Sequence, residues 1–276
     1  MTTCCETGAC CCGGRRGRCA CEHPLVSVIT PTWRRRTLLL KRCLPSVYAQ
    51  DYPNVEHIVV SDGPDPELAE TMATMVGQPA GTGPWSPRLV YAELPEHPEG
   101  KHWGHHARQR GLEIARGDYI AYLDDDDLYL PWHCSTLVSA LGEHPEAGFA
   151  YTQMEWADRS YRIGREEPLE THIGTPMIMH RRDVLEHGSW DEAGEYEDWR
   201  LVERWLKAGV NWHFVPKVTI MIWPSLSALG GDGGFAGAEP GDHDDDTDLD
   251  LDGDLALADE DLDEDLELDA EPEPQL

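Results

Sequence analysis

The chain lacks a basic excess, a long apolar run and any glycine in the turn after its first β-prone segment, and each absence removes a class of function. Lys and Arg number 22 against 52 Asp and Glu, for a formal charge of −30. Twenty of those acids lie between Asp232 and Glu273, where there is no Lys or Arg, so the remainder balances 22 basic against 32 acidic residues. Such a chain has no field to draw in nucleic acid or an anionic bilayer. No apolar stretch approaches the roughly 18–20 residues of a membrane span. The longest, near Leu38–Leu40 and Val218–Trp223, are the size of core pieces. The amino terminus has Cys and Arg but no continuous apolar segment, which argues against a secretory signal. The expected location is cytoplasmic, with any membrane contact peripheral and made through partners. Thr30–Arg36 contains no glycine, which counts against the Gly- and Lys-rich phosphate loop of a nucleotidyltransferase.

Composition divides the chain into three. Residues 1–23 hold seven of the nine cysteines (Cys4, Cys5, Cys10, Cys11, Cys12, Cys19 and Cys21). They read either as a small zinc or redox knot or as a disordered leader. The spacing fits no standard zinc pattern, and adjacent cysteines share one tetrahedral site poorly. Residues 24–226 alternate apolar and amphipathic runs and form the expected folded domain, with Cys43 and Cys134 as plain buried thiols. Residues 227–276 are Gly-rich and then acidic, too poor in apolar surface to fold alone. That tail reads as a disordered segment, solubilising or docking a partner. Its acids Asp248, Asp250, Asp252 and Asp259 with Gly253 also match the spacing of a calcium loop, a match that arises easily in so acidic a segment.

Inside the body, Leu25–Thr30 is a compact β-prone run ended by Pro31. A helical pattern follows over 35–49, with Pro45 at a kink or a new turn. Val55–Ser61 is a second strand, stopped by the turn cluster Asp62–Pro66. A helix over 67–76, a strand over 88–93, a helix over 104–116 closed by Gly117, and a strand over 119–123 come next. Strand and helix in alternation predict an α/β fold with a mostly parallel sheet. Ligands of such sheets bind beyond the carboxyl ends of the strands.

Those ends carry Thr30, Thr32 and Trp33 after the first strand, Asp62 after the second, and the run Asp124, Asp125, Asp126, Asp127 after the fourth. Four consecutive carboxylates leaving a buried strand repel one another unless a cation sits among them. A divalent ion such as Mg²⁺ or Mn²⁺ prefers carboxylate oxygen and keeps positions open for substrate phosphates. Solvated acidic runs are common, but this one is held between Ile120–Leu123 and Leu128–Trp132.

Four blocks in order, Val26–Arg34, Ile58–Gly63, Ala107–Leu112 and Gly117–Asp127, closely resemble the family 2 glycosyltransferases of GT-A fold, and the likeness extends over about residues 24–224. The resemblance implies a Rossmann-like central sheet flanked by helices. It implies an inverting transfer from a nucleoside-diphosphate sugar to an acceptor hydroxyl, as in polysaccharide or cell-envelope glycan synthesis. Pro31, Thr32 and Trp33 would line the base pocket, with Trp33 where the family usually has a stacking tyrosine, and Asp62 would bind base or ribose. Asp124 to Asp126 would form the DxD region, Asp126 touching the metal, Asp124 shared between metal and ribose, Asp125 nearer the ribose, and Asp127 shaping the loop. Glu197-Asp198 before an aromatic and a helix resembles the block that holds the base, so Asp198 is the expected base and Glu197 its neighbour or substitute, while Asp191 is structural. Trp33 as core, Asp62 as a turn former and the acids at this helix start as caps remain the plainer alternatives.

The family's late metal-ligating histidine has only a weak counterpart here, His213, which a core role would equally explain. His97, His102, His105 and His106 precede the helix bearing Arg108. They read as caps or as a face toward diphosphate, where Lys101 and Arg108 offset charge, with transition-metal binding as the alternative. Thr175–Arg182 reads as a strand toward the acceptor, with His180 either packing or touching it. A catalytically inactive nucleotide-sugar or glycan-binding module and a nucleotidyltransferase are the competing functions.

Overall fold

The computed structural model describes residues 23–76, 87–99, 104–158, 161–190 and 197–223. The cysteine-rich stretch, the acidic tail with its calcium-like spacing, Lys101, His102 and Asp191 lie outside the described residues.

Three apolar runs that sequence marks as strands form the buried centre. β1 (Val26–Thr32), β2 (Val55–Ser61) and β4 (Tyr119–Tyr122) are buried along their whole lengths. Burial on both faces is what a parallel sheet under helices demands. β1 pairs in parallel with β2 and with β4, and β2 pairs in parallel with β3 (Arg88–Glu93). Beyond β4 the sheet turns mixed. β8 (Ile178–Arg181) runs antiparallel to β4, and β6 (Ala147–Trp156) runs antiparallel to β8. β9 (Asn211–Ile222) follows parallel to β6, and the short β5 (Leu128–Tyr129) closes the order β3-β2-β1-β4-β8-β6-β9-β5. β7 (Arg162–Ile163) pairs with β6 off this path.

Helical pieces α1 (Arg36–Leu38) and α2 (Leu44–Tyr48) are joined through a π-helical stretch, Leu39–Cys43. Pro45 has no N–H to give, and the widened turn before it accommodates that loss. α3 (Pro66–Met75) is capped by Asp65, whose carboxylate accepts from the Leu68 N–H at 3.0 Å. α4 (His105–Ile114) packs over β1 and β2, while α5 (His133–Glu143) lies against β6.

Three expectations are corrected by the structure. Of the strand expected over Thr175–Arg182, Thr175–Met177 form a 3₁₀ turn and only Ile178–Arg181 join the sheet. β1 does not end at Pro31 but continues to Thr32. Ile29 O accepts from Leu123 N, and Thr32 O accepts from Asp62 N, so Pro31 faces the β4 side of the strand. Pairing with β4 has stopped at Ile29↔Tyr122, so the missing N–H breaks no ladder bond. Gly117 is not a left-handed helix cap, since α4 ends earlier and Gly117 has no positive φ. A Cβ there would fall 2.6 Å from Ser27 N, and its N–H donates to Ser27 Oγ at 2.8 Å. The glycine serves close approach to β1.

At the amino end of the parallel strands, Glu56 is 1% exposed and gathers five hydrogen bonds from three residues. Its carboxylate accepts from Ser27 Oγ at 2.7 Å, Arg116 N at 2.7 Å, Arg116 Nη2 at 2.8 Å, Arg116 Nε at 3.1 Å and Arg88 Nη1 at 3.3 Å. It ties β1, β2, β3 and the α4–β4 connection together. Glu56→Ala leaves those donors without their acceptor and is expected to cost about 2 kcal/mol. Urea unfolding checks it, as a lower midpoint with an unchanged slope.

Candidate active site

The parallel strands deliver their following residues to one rim because they share direction and register. Thr32 is aligned with Ser61 across β1 and β2, which puts Asp62 beside the end of β1. β4, next to β1 on the other side, leads into Asp124. Thr32 Oγ1 donates to Asp125 Oδ2 at 2.7 Å, both residues being buried. Trp33, Asp62 and the aspartate run therefore meet at one end of the sheet.

The run is neutralised by three arginines. Arg35 bridges Asp125 Oδ1, at 3.0 Å, and Asp126 Oδ2. Arg42 donates to the Asp126 carbonyl at 2.7 Å and lies 3.9 Å over the Trp223 ring. Arg108, buried in α4, pairs with Asp124 at 2.5 Å and sits 5.1 Å over Trp190. Asp127 is 8% exposed, and among the described residues no hydrogen bond or ion pair reaches its carboxylate. Burial raises its pKa well above the ordinary range, and the charges of Asp126 and Asp124 add to the shift. Asp125 is pushed up to about 7, first by burial, with Arg35 opposing.

Asp198 lies in the first turn of α6 (Glu197–Lys207). Its Oδ1 accepts from the Trp199 N–H at 2.7 Å. Burial raises its pKa, while Arg108 lowers it and Asp124 raises it, so this carboxylate stands within electrostatic reach of the pair that anchors the aspartate run. Glu197 opens the same helix; its side chain lies outside the described residues.

The remaining expected residues are distributed as follows. Pro31 is buried, and its Cβ lies 2.9 Å from where a Cβ on Gly104 would sit, so it packs under the start of α4. Thr30 faces inward, bonded to His57 Nε2 at 2.9 Å. Trp33 is partly buried, its ring stacked on His97 with centroids 4.1 Å apart and planes 5° from parallel. His105 is buried, its ring 3.9 Å from that of His106. His180 is in the core, bonded to Tyr122 Oη at 2.9 Å. His213 is not brought to the aspartates. It stands near the start of β9 with its ring 3.7 Å from that of His144, whereas Trp223, just past the end of the same strand, is what meets Arg42. One extended strand cannot bring both ends to one place. Arg35, Arg42 and Trp190 were missed; the basic run Arg34-Arg35-Arg36 was the available signal for the first.

Among the described residues no three His, Cys, Asp or Glu side chains form a ready-made metal cage. The donors fit a hard cation all the same. Asp126 is partly open, Asp127 is buried with no direct ion pair among the described residues and only the nearby charge of Arg35 to offset it, and Mg²⁺ or Mn²⁺ commonly takes one or two protein carboxylates and fills the rest with phosphate and water. No helix among the described residues is long and apolar enough to cross a membrane.

A family model described as glycosyl transferase family 2 matches residues 27–193. The chain is 28% identical over 120 residues to the GalNAc(5)-diNAcBac-PP-undecaprenol beta-1,3-glucosyltransferase of Campylobacter jejuni, covering 44% of this chain and 35% of that one. S. aureus TarS 1-349 in complex with UDP superposes with a TM-score of 0.56 at 16% identity, over 74% of this chain and 62% of that one. Mannosyltransferase PcManGT of Pyrobaculum calidifontis, in complex with GDP-Man and Mn²⁺, superposes with a TM-score of 0.54 at 21% identity, over 72% and 56%. The α/β GT-A sheet flanked by helices is thus shared with these structures. The chain spans 13%, 36% and 38% of the length of the first three curated relatives it matches.

The raised carboxylates set a pH dependence. An aspartate whose folded pKa exceeds its unfolded value of about 4 stabilises the fold below that value and loses the contribution as pH climbs through the folded pKa. For Asp125 that window closes near pH 7. In metal-free buffer the melting temperature is expected to fall between about pH 5 and about pH 8. Asp127→Asn flattens that fall and gains about 1 kcal/mol at the upper end, because it removes a buried charge. Thermal melts of both proteins across the range check it.

Proposed function

Because this chain belongs to glycosyl transferase family 2, we propose that it moves a sugar from a nucleoside-diphosphate donor to an acceptor hydroxyl with inversion, using Asp198 as the base. The observation that carries the proposal is the electrostatic proximity of Asp198 to the Arg108–Asp124 pair, at the rim that also holds Trp33 and Asp62. In this reading the base of the donor stacks on Trp33, and Asp62 accepts from it. Asp124 and Asp125 face the ribose, and Arg108 offsets diphosphate charge. Mg²⁺ or Mn²⁺, held by Asp126 with Asp127 beside it, would neutralise the departing diphosphate. The UDP and GDP-Man of the two solved neighbours suggest uridine and guanosine donors as the first to try, and the name of the Campylobacter relative suggests a growing glycan as acceptor.

The acceptor oxygen forms its bond to the anomeric carbon as the bond from that carbon to the diphosphate oxygen breaks. The electron pair of the broken bond leaves with the diphosphate, and the acceptor proton passes to Asp198. Burial makes that carboxylate a stronger base than a solvated one. The Trp199 N–H donates to Oδ1, and a backbone hydrogen bond from Thr175 also holds this carboxylate in place.

Asp198→Asn is expected to lower turnover by about a thousandfold while leaving nucleotide binding in place. A panel of UDP- and GDP-sugars with Mn²⁺, scored by thermal stabilisation and slow donor hydrolysis, measures both. Unchanged turnover in the variant removes Asp198 from the role of base. In the same assay Asp126→Ala is expected to abolish the Mn²⁺-dependent part of the stabilisation, which reaches about 2.7 kcal/mol at a hundredfold excess over Kd.

A further inference from the structure

At the rim, a flat nitrogen heterocycle belonging to the protein itself lies on the Trp33 ring. Trp33 offers an aromatic face, and the imidazole of His97 lies flat on it at 4.1 Å. His97 Nδ1 is 2.5 Å from the Asp62 carbonyl oxygen and 3.7 Å from its Oδ2. A carbonyl only accepts, so Nδ1 carries the hydrogen and donates it. Gly63, at φ +146°, closes the group. A Cβ there would meet the Trp33 ring at 2.7 Å and His97 Cβ at 2.9 Å. Trp33, Gly63 and His97 are thus in contact, with no slot for another ring between tryptophan and histidine.

One stacked face plus a ring N–H on a neighbouring acceptor is also how a protein holds a nucleobase. Uracil and guanine present such an N–H, whereas the corresponding ring nitrogen of cytosine and adenine is bare. We propose that His97 is an internal stand-in for the donor's base. In the free protein it covers the stacking face of Trp33 and bonds to Asp62, and the nucleotide binds by displacing it. The inference rests on the reading of Trp33 and Asp62 as the base site. Displacement opens no hole in the core: the His97 side chain is 36% exposed and lies four residues past the end of β3. The apparent donor affinity is then the intrinsic one reduced by the fraction of molecules in which His97 has swung out.

Calorimetric titration of UDP and of GDP, each with Mn²⁺, into the full chain tests this. His97→Ala is expected to bind whichever nucleotide the wild type prefers about tenfold more tightly. His97→Phe, which keeps a stacking ring, is expected to stay within about threefold of wild type. Trp33→Ala is expected to lose binding. His97→Asn replaces the alanine variant should that one fail to give a wild-type-like melting curve. Equal or weaker binding by the alanine or asparagine variant, with Trp33→Ala still losing affinity, overturns the stand-in and leaves the base site intact. Binding of neither nucleotide by any variant, or binding indifferent to Trp33→Ala, overturns the base site itself and the stand-in with it.

Discussion

Mutual repulsion within the aspartate run is the constraint around which this rim is arranged. Asp124 to Asp127 leave a buried strand together, and like charges at that spacing in a low-dielectric setting cannot all stand ionised alone. The fold answers with cations from separate segments: Arg35 from the turn after β1, Arg42 from the π-helical stretch, and Arg108 from α4. Each makes a different kind of contact. Arg35 spans two carboxylates, Arg42 holds a main-chain carbonyl, and Arg108 is itself stacked on Trp190. Asp127 is left without such a partner among the described residues, and the resulting deficit of positive charge is what a divalent ion would relieve.

The sheet supplies the geometry that makes this arrangement affordable. Parallel pairing of β1 with β2 and β4 aligns the ends of three strands, so residues far apart in the chain arrive at one edge without any long loop having to fold back. The opposite edge is clamped by Glu56, whose single carboxylate receives donors from β1, from β3 and from the residues after α4. With one end of the strands tied in this way, the turns at the other end are free to carry polar chemistry.

The family assignment and the local chemistry meet at the same residues while resting on different grounds. The match over residues 27–193 covers the strands that build the rim and stops before α6. Asp198 therefore stands outside the matched segment, and its candidacy rests on the local likeness of Glu197-Asp198 to the family's base block, on burial and on the charges of Arg108 and Asp124 that act on it. Trp33 shows the converse. It falls inside the match, yet its neighbour His97 comes from a loop with no regular structure, and that neighbour decides what the tryptophan face meets first.

Much of the scaffold was legible from the chain alone. The strands at 55–61 and 88–93 were bounded correctly because apolar runs between turn residues are a local signal, and the aspartate run stood out because four acids in succession follow the apolar run at 119–123. Pro31 and Gly117 were misread because their local meanings, strand end and helix cap, gave way to the neighbours each one met. The partners Arg42 and His97 were invisible in those roles, and the basic run around Arg35 gave no sign of which acids it would meet. Thr32 and Asp125 are 93 residues apart, Arg35 and Asp126 are 91 apart, and Arg42 and Asp126 are 84 apart. Periodicity reports which face of its own element a residue occupies, so sequence sufficed for the four parallel strands, the helices between them and the acids that follow them, but not for β5, β6 and β7. Which distant side chain meets which depends on strand register and helix placement, set only when the whole core packs, and that is why the tertiary structure alone decided the counter-charges, the isolation of His213 and the ring that lies on Trp33.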